Sequence, residues 1–165
     1  MRILGIDPGY ATMGYGVVEG EAFRLKAVDY GVVQTSPKDS FPVRLEQLYE
    51  GMRQLLTQFK PEAVGFEELF FYHNITTALP VSAGRGVAIL AARQAGLPLY
   101  EFTPMQIKQA ATGNGHADKK QVQQMVRRLL NLSADPKPDD AADALAAAIC
   151  LAGIGKHVLS EYLIQ

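Results

Sequence analysis

Four acidic residues lie beside apolar segments of this sequence, in an order that suits metal-dependent chemistry: Asp7, Glu67, Asp140 and Asp143. Asp7 and Glu67 each end a short apolar run, as expected of a buried strand that stops at the acid. Carboxylates that converge without cations repel one another, so Mg²⁺ or Mn²⁺ is their natural occupant. Two such ions, about 3.5–4 Å apart, can activate water on one side of a phosphodiester and stabilise the leaving oxygen on the other. The pattern therefore points to phosphodiester hydrolysis.

The last apolar segment, residues 139–152, predicts a helix that is buried on nearly all sides. Asp140 and Asp143 are about 60° apart on the helix wheel, so both side chains point the same way. Asp139 and Asp143 are neighbours by the same geometry, and spacing alone does not choose between Asp139 and Asp140. Capping of the helix N-terminus accounts for Asp139. It does not account for Asp143, because a buried carboxylate beyond the capping positions needs a cation or a partner.

The coarse element order predicts one α/β domain over residues 1–152 and a C-terminal tail of uncertain structure over residues 153–165. Strands are expected at 2–6, 14–19, 23–35, 63–66 and 97–102, and helices at 43–59, 75–95, near 106, at 120–130 and at 139–152. A three-stranded meander followed by alternating strands and helices is the order of the ribonuclease H-like fold. In that fold a mixed five-stranded sheet carries helices on both faces, and the four acids converge.

The charge distribution is uneven, although the whole chain carries a net charge of only −1. One segment, residues 104–128, contains a single acid, Asp118, and five basic residues: Lys108, Lys119, Lys120, Arg127 and Arg128. Such local clustering, rather than an overall basic surface, would have to carry any binding to nucleic acid. Lys119 and Lys120 in particular could neutralise phosphates, although an ordinary solvated helix start would look the same.

The sequence predicts a cytoplasmic protein. Only four largely apolar residues separate Arg2 from Asp7, far short of the apolar core of a signal peptide. Charged residues, glycine or proline interrupt every apolar run before it reaches the roughly 18 residues that span a membrane. Cys150 is the single cysteine, so no internal disulfide is available.

Several motifs, in this order and spacing, resemble those of the RuvC family of bacterial Holliday junction resolvases. They are ILGIDPG followed by GYGV, FEE, GRGVAIL, IKQ, the KQVQQMVRRLL stretch and DAADALA, and the resemblance covers residues 2–151. It implies a homodimer that makes paired symmetric nicks in four-way DNA junctions during recombination and repair. It also implies cooperation with the branch-migration proteins RuvA and RuvB.

The resemblance also assigns roles to individual residues. The catalytic and metal-binding acids of the family match Asp7, Glu67, Asp140 and Asp143, which selects Asp140 over Asp139. Its DNA-contacting aromatic and lysines match Phe70, Lys108 and Lys119, and Lys120 is a further expected phosphate contact. The family dimerises through its second helix, where a face of small and apolar residues is expected from Ala83, Gly84, Gly86, Val87 and Leu90.

Three other functions share some of these features. The DPGYATMGYG segment also resembles the phosphate loop of actin-like ATPases, but those enzymes need two such domains and a second glycine-rich loop. A ribonuclease H-like nuclease that processes RNA would share the fold and the acids. A non-catalytic junction-binding module would share the fold, but four acids would hinder rather than help its binding to phosphates.

Overall fold

The computed structural model describes residues 1–21, 24–69, 75–155 and 157–164. The strands are β1 (Arg2–Asp7), β2 (Thr12–Glu21), β3 (Arg24–Gln34), β4 (Ala63–Glu67) and β5 (Leu99–Phe102). The helices are α1 (Phe41–Phe59), α2 (Ile75–Gln94), α3 (Pro104–Thr112), α4 (Lys119–Leu129) and α5 (Asp139–Gly153), followed by a 3-10 turn at Leu159–Tyr162. No helix in these ranges is both long and apolar enough to cross a membrane.

The five strands form one mixed sheet in the order β3-β2-β1-β4-β5. Strands β1, β2 and β3 form an antiparallel meander, whereas β1, β4 and β5 run parallel. Ile6 pairs with Phe66, so the next residues, Asp7 and Glu67, end neighbouring parallel strands at the same edge of the sheet. The predicted ribonuclease H-like arrangement is confirmed.

One predicted strand boundary is wrong. The predicted strands at 14–19 and 23–35 leave a break at residues 20–22, but Gly20 and Glu21 belong to β2, where Gly20 pairs with Leu25 and Glu21 with Arg24. The φ angle of Gly20 is +140°, and a Cβ there would lie 2.0 Å from the carbonyl oxygen of Arg24. Glycine is needed here because of this backbone conformation inside the strand. In the sequence alone, it is indistinguishable from a glycine in a turn that ends a strand.

Helices cover both faces of the sheet, and each face has its own core. Alternation along β1 turns Leu4 and Ile6 toward α1 and α2, and Ile3 toward α3, α4 and α5. Helix α5 lies across β1 and β2, and α3 and α4 pack against α5. Every residue from Ala144 to Leu151 is buried, which confirms that α5 is enclosed on all sides.

Glycine on the inner face of the sheet allows α5 to approach the strands at backbone distance. A Cβ on Gly5 would lie 2.0 Å from the carbonyl oxygen of Ala144, and one on Gly14 would lie 2.0 Å from the carbonyl oxygen of Asp140. Gly5 is two residues before Asp7, and Gly14 is the antiparallel partner of Asp7. The close approach therefore brings the start of α5 directly over the end of β1.

The outward face of α2 differs from the one expected. Leu79 and Leu90 are 67% and 49% exposed, and Gly86 has open space around it. The prediction that Gly84 belongs to the exposed face of small and apolar residues is wrong. Gly84 is buried, and a Cβ there would lie 2.8 Å from the carbonyl oxygen of Gly9. It lets α2 contact the loop that follows Asp7, so it does not belong to a free surface.

The C-terminal tail packs against the outer strand of the sheet. Tyr100 and Leu163 form an isolated antiparallel bridge, and the backbone nitrogen of Ile164 donates to the carbonyl oxygen of Leu99 at 2.9 Å. The Tyr162 ring lies 5.2 Å from that of Phe102. The tail thus covers part of an edge that would otherwise present unpaired backbone groups.

We expect Gly5→Ala to lower the free energy of unfolding by about 1–3 kcal/mol or more, because the new methyl group overlaps the α5 backbone. Gly153→Ala, in the same helix but with open space around it, is the control and should change stability by no more than about 0.5 kcal/mol. Urea denaturation measures both. Equal effects of the two substitutions would show that the close approach is not needed for stability.

Candidate active site

The four predicted acids line one cleft at the edge of the sheet. Asp7 ends β1, Glu67 ends β4, and Asp140 and Asp143 lie in the first turns of α5. The cleft has a volume of about 370 Å³, and Lys108 from α3 and Lys119 from α4 also line it. One wall of the cleft is apolar and is formed by Pro104, Ile107 and Val122. Five separate elements thus meet around a group of carboxylates.

The acids on the strands carry pKa values far above the usual range. The pKa of Asp7 is raised from 3.8 to about 8, mainly by burial and then by the carboxylates of Glu67, Asp143 and Asp140. The pKa of Glu67 is raised from 4.5 to about 7, again by burial first and then by Asp143. Lys119 partly offsets both shifts. The fold therefore provides too little positive charge to keep all of these carboxylates ionised at neutral pH.

Asp143 shows the same behaviour from the helix side. Burial raises its pKa, and the nearby Asp139 and Asp140 carboxylates raise it further, whereas Lys119 and Lys108 lower it. Asp143 lies past the first turn of α5, so capping does not explain why a carboxylate is there. Its environment instead favours an arrangement in which a cation shares the site.

The donor set fits a hard divalent cation that keeps part of its water shell. Only carboxylate oxygens and two lysines provide charge in the cleft, which suits Mg²⁺ or Mn²⁺ rather than a metal that prefers sulfur or imidazole. Within the ranges that the structure describes, no three His, Cys, Asp or Glu side chains already surround a single point as ligands. Mg²⁺ is usually held by one or two carboxylates together with water and substrate phosphate, so it does not require a closed protein cage.

The geometry separates Asp140 from Asp139. Asp140 lines the cleft, whereas Asp139 is exposed and its Oδ1 accepts a hydrogen bond from Nε2 of Gln123 at 2.7 Å. Glu68 also lines the cleft beside Glu67. Asp140 and Glu67 therefore face the site from two sides, and Asp139 is directed toward α4.

Capping boxes fix the starts of the two helices that carry the lysines. Thr103 and Gln106 cap α3, with Oγ1 of Thr103 accepting from the Gln106 amide at 3.2 Å. Asp118 and Gln121 cap α4 in the same way, at 2.8 Å. Lys119 is the first residue of α4, so its position relative to the cleft is set by this cap.

A third predicted DNA contact, Lys120, is not among the residues that line the cleft. Lys120 is exposed on α4 next to Lys119. Phe70 lies outside the residues that the structure describes.

Sequence patterns did not reveal how the loop after Asp7 is held. The Arg44 guanidinium lies 3.9 Å from the centre of the Tyr10 ring, and its Nε donates to Oγ1 of Thr35 at 2.8 Å. Thr35 Oγ1 in turn donates to the carbonyl oxygen of Tyr10 at 2.8 Å. Tyr10 lies in the loop between β1 and β2, Thr35 directly follows β3, and Arg44 belongs to α1, so no local spacing connects them. The contact restrains the chain three residues beyond Asp7.

We expect the free energy of unfolding of the metal-free protein to fall as pH rises from about 4 to about 8. Asp7 and Glu67 keep protons in the folded state at pH values where the unfolded chain has released them, so the unfolded state binds fewer protons in this range. Asp7→Asn should reduce this slope and stabilise the protein at pH 8. Glu46→Gln, at an exposed position on α1, is the control. A slope unchanged by Asp7→Asn in chelator-treated protein would contradict the shift.

Comparison with known proteins identifies the family. The profile described as "Crossover junction endodeoxyribonuclease RuvC" matches residues 3–151. The protein of that name from Alkaliphilus metalliredigens is 54% identical over 165 residues, which is 100% of both chains. The structure "T. thermophilus RuvC in complex with Holliday junction substrate" matches with a TM-score of 0.91 and 38% identity over 99% of both chains. A yeast mitochondrial Holliday junction resolvase has the same fold at a TM-score of 0.66 and 17% identity, over 92% of this chain and 77% of that one. The chain therefore belongs to the RuvC family of crossover junction endodeoxyribonucleases, which are metal-dependent nucleases.

Proposed function

We propose that this protein resolves four-way DNA junctions by making paired symmetric nicks during recombination and repair. The observation that carries the proposal is the convergence of the four predicted carboxylates, the neighbouring Glu68 and two lysines on one cleft, in a chain of this family. The structural relative from Thermus thermophilus, of nearly identical fold, is described in complex with a Holliday junction substrate. That relation supports the same substrate here.

We propose that Asp7, Glu67, Asp140 and Asp143 hold Mg²⁺, which Mn²⁺ can replace, with two ions bound during catalysis. When bound, these ions lower the pKa of attacking water and stabilise the leaving 3′-oxygen of the phosphodiester. Their binding requires the carboxylates to be ionised. The raised pKa values of Asp7 and Glu67 therefore predict that metal binding releases protons at neutral pH.

The lysines complete the charge balance of the cleft. Lys119 lowers the pKa of Asp7, Glu67 and Asp143, and Lys108 lowers the pKa of Glu67 and Asp143. Both are therefore close enough to act on groups in the cleft. We assign them to the scissile phosphate, where positive charge fixed in advance stabilises the additional negative charge of the transition state.

Two further contacts extend from the cleft to the junction. We assign Lys120, which is exposed beside Lys119, to a phosphate of the same strand. We assign Phe70, which follows Leu69 at the cleft, to stacking on an unpaired base near the crossover. Together these contacts favour a substrate whose strands are opened close to the cut site.

Symmetric nicks need two clefts related by a twofold axis. The apolar stripe on α2, formed by Leu79 and Leu90 with Gly86 between them, is a suitable self-complementary surface. Its small central residue permits close approach of the same helix from a second copy. We therefore propose a homodimer through α2, acting with RuvA and RuvB in the cell.

Asp140→Asn and Asp139→Asn provide a matched pair of variants one residue apart. We expect Asp140→Asn to reduce junction cleavage in Mg²⁺ by more than the roughly 10–100-fold typical of losing an outer-shell partner of a metal ligand. Asp139→Asn should retain activity within a few-fold, because Asp139 faces Gln123. Single-turnover cleavage of a mobile four-way junction measures both, and equal losses would contradict the assignment of Asp140.

The substrate is tested separately from the acids. Wild-type protein should cut the four-way junction in preference to an RNA–DNA hybrid or a linear duplex, and binding to the junction should persist in Asp7→Asn. Preferential cutting of the hybrid would favour an RNA-processing nuclease. Junction binding without cleavage by the wild type would indicate a non-catalytic module.

We expect Leu90→Glu to convert a dimer into a monomer at micromolar concentration, because it buries charge in the apolar interface on α2. Val43→Glu on α1, where the side chain is 40% exposed, is the matched control and should leave the dimer intact. Sedimentation velocity distinguishes the two. A wild-type protein that sediments as a monomer, or a dimeric Leu90→Glu variant, would contradict the proposed interface.

A further inference from the structure

The exposed face of α4 carries a row of groups that bind phosphate, and the chemistry in the cleft does not use them. Lys120, Gln124 and Arg128 are four residues apart, so they lie on one side of the helix, and all three are exposed. No Asp or Glu occurs between Lys119 and Asn131. The opposite side of α4 is buried in the core through Val122 and Val126. We call these three residues the α4 row.

Helix stability does not explain the lysine end of this row. Lys119 and Lys120 are the first two residues of α4, where positive charge opposes the helix dipole and negative charge would be preferred. Arg127 and Arg128 lie in the last turn, where their sign is favourable. A cation at both ends of one face therefore indicates a requirement for positive charge along the whole helix.

The α4 row continues directly from the cleft. Lys119 lines the cleft and Lys120 follows it on the surface. At 1.5 Å per residue, the Cα atoms of Lys120 and Arg128 are about 12 Å apart. A DNA strand advances about 3.4 Å along the duplex axis per phosphate, so this length corresponds to roughly three phosphates.

Arg127, beside the far end of the row, is held by other contacts and does not belong to the row. Its guanidinium contacts Oδ1 of Asp135 at 3.5 Å, and its Nε donates to the carbonyl oxygen of Leu132 at 3.4 Å. These contacts direct Arg127 toward the 131–135 segment. Arg128, in contrast, forms no ion pair within the described part of the chain, so its charge is available to a ligand.

We propose that the α4 row binds the sugar–phosphate backbone of the duplex arm leading away from the nicked phosphate, with Arg128 contacting a phosphate roughly three steps beyond the Lys120 contact and about four steps from the nick. This inference rests on the proposed junction substrate and adds to it the path of one arm. Contacts to phosphates fix the register of the DNA but do not read its sequence. The row therefore determines how the junction is held, while the preference for particular bases arises elsewhere.

The test compares two double variants with the same change in net charge. Lys120→Gln/Arg128→Gln removes both cations of the row. Lys26→Gln/Arg53→Gln is the matched control, because it removes an exposed lysine on β3 and an exposed arginine on α1. Junction binding is measured without divalent metal by fluorescence anisotropy between 50 and 200 mM salt, and thermal unfolding of each variant is recorded beside it.

The slope of log K against log salt should fall in magnitude by about 1.8 for the row variant, since each lost phosphate contact removes about 0.9. The control should keep the wild-type slope. The variant Lys120→Gln/Arg128→Lys keeps one of the two cations, so its slope should fall by only half as much as that of Lys120→Gln/Arg128→Gln. Ethylation of the phosphate about four steps from the nick should weaken binding of the wild type but not of Arg128→Gln.

Equal slopes for the row variant and the control, with both variants folded, would overturn the inference. So would interference by ethylation that is unchanged in Arg128→Gln. If the wild type cuts and binds junctions while these results are negative, the proposed function stands and only the path of the arm is wrong. If the wild type neither binds nor cuts junctions, both proposals fail.

Discussion

The contact between the backbone of α5 and the glycine-lined face of the sheet is the constraint on which the site depends. A side chain at Gly5 or Gly14 would occupy the space of the α5 backbone, at 2.0 Å from carbonyl oxygens of Ala144 and Asp140. Interiors pack at the density of organic crystals, so α5 has no alternative position that keeps the core filled. Because Gly14 is paired with Asp7, the contact that packs the core also sets the height of Asp140 above the end of β1.

This close packing has an electrostatic cost at the cleft. Carboxylates from β1, β4 and α5 are brought together in a half-buried place, and the pKa values of Asp7 and Glu67 rise to about 8 and about 7. Lys108 and Lys119 offset part of the cost, but two cations do not balance the five acids that line the cleft. The protein therefore gives up stability at neutral pH in the absence of metal, and the divalent cation that we propose for the cleft would recover it. The free energy that burial of the acids costs would then contribute to the affinity for that cation.

Sequence patterns predicted those parts of the fold that depend on local order. The acids that end β1 and β4, and the enclosed helix α5, follow from apolar runs and their periodicity. Gly20 inside β2, Gly84 against Gly9 and the contact of Arg44 with Tyr10 do not, because each depends on a residue distant in sequence. Spacing also left Asp139 and Asp140 equivalent until the direction of α5 was known, since only the packed helix determines which carboxylate faces the cleft and which faces Gln123.

The residues that we propose for metal binding and for DNA binding lie in different layers of the structure. The acids are fixed by the sheet and α5, which are the most deeply packed elements, whereas Lys108 and Lys119 come from α3 and α4, which are outside them. Helices α3 and α4 begin at capping boxes, so their first residues are well defined although their outer faces are solvated. Metal-ligand geometry tolerates little movement, whereas phosphate contacts tolerate more because they are long-ranged and depend mainly on charge. The proposed metal ligands thus lie in a rigid inner layer, and the proposed DNA contacts lie in a more adaptable outer layer. This arrangement matches what the two kinds of interaction require.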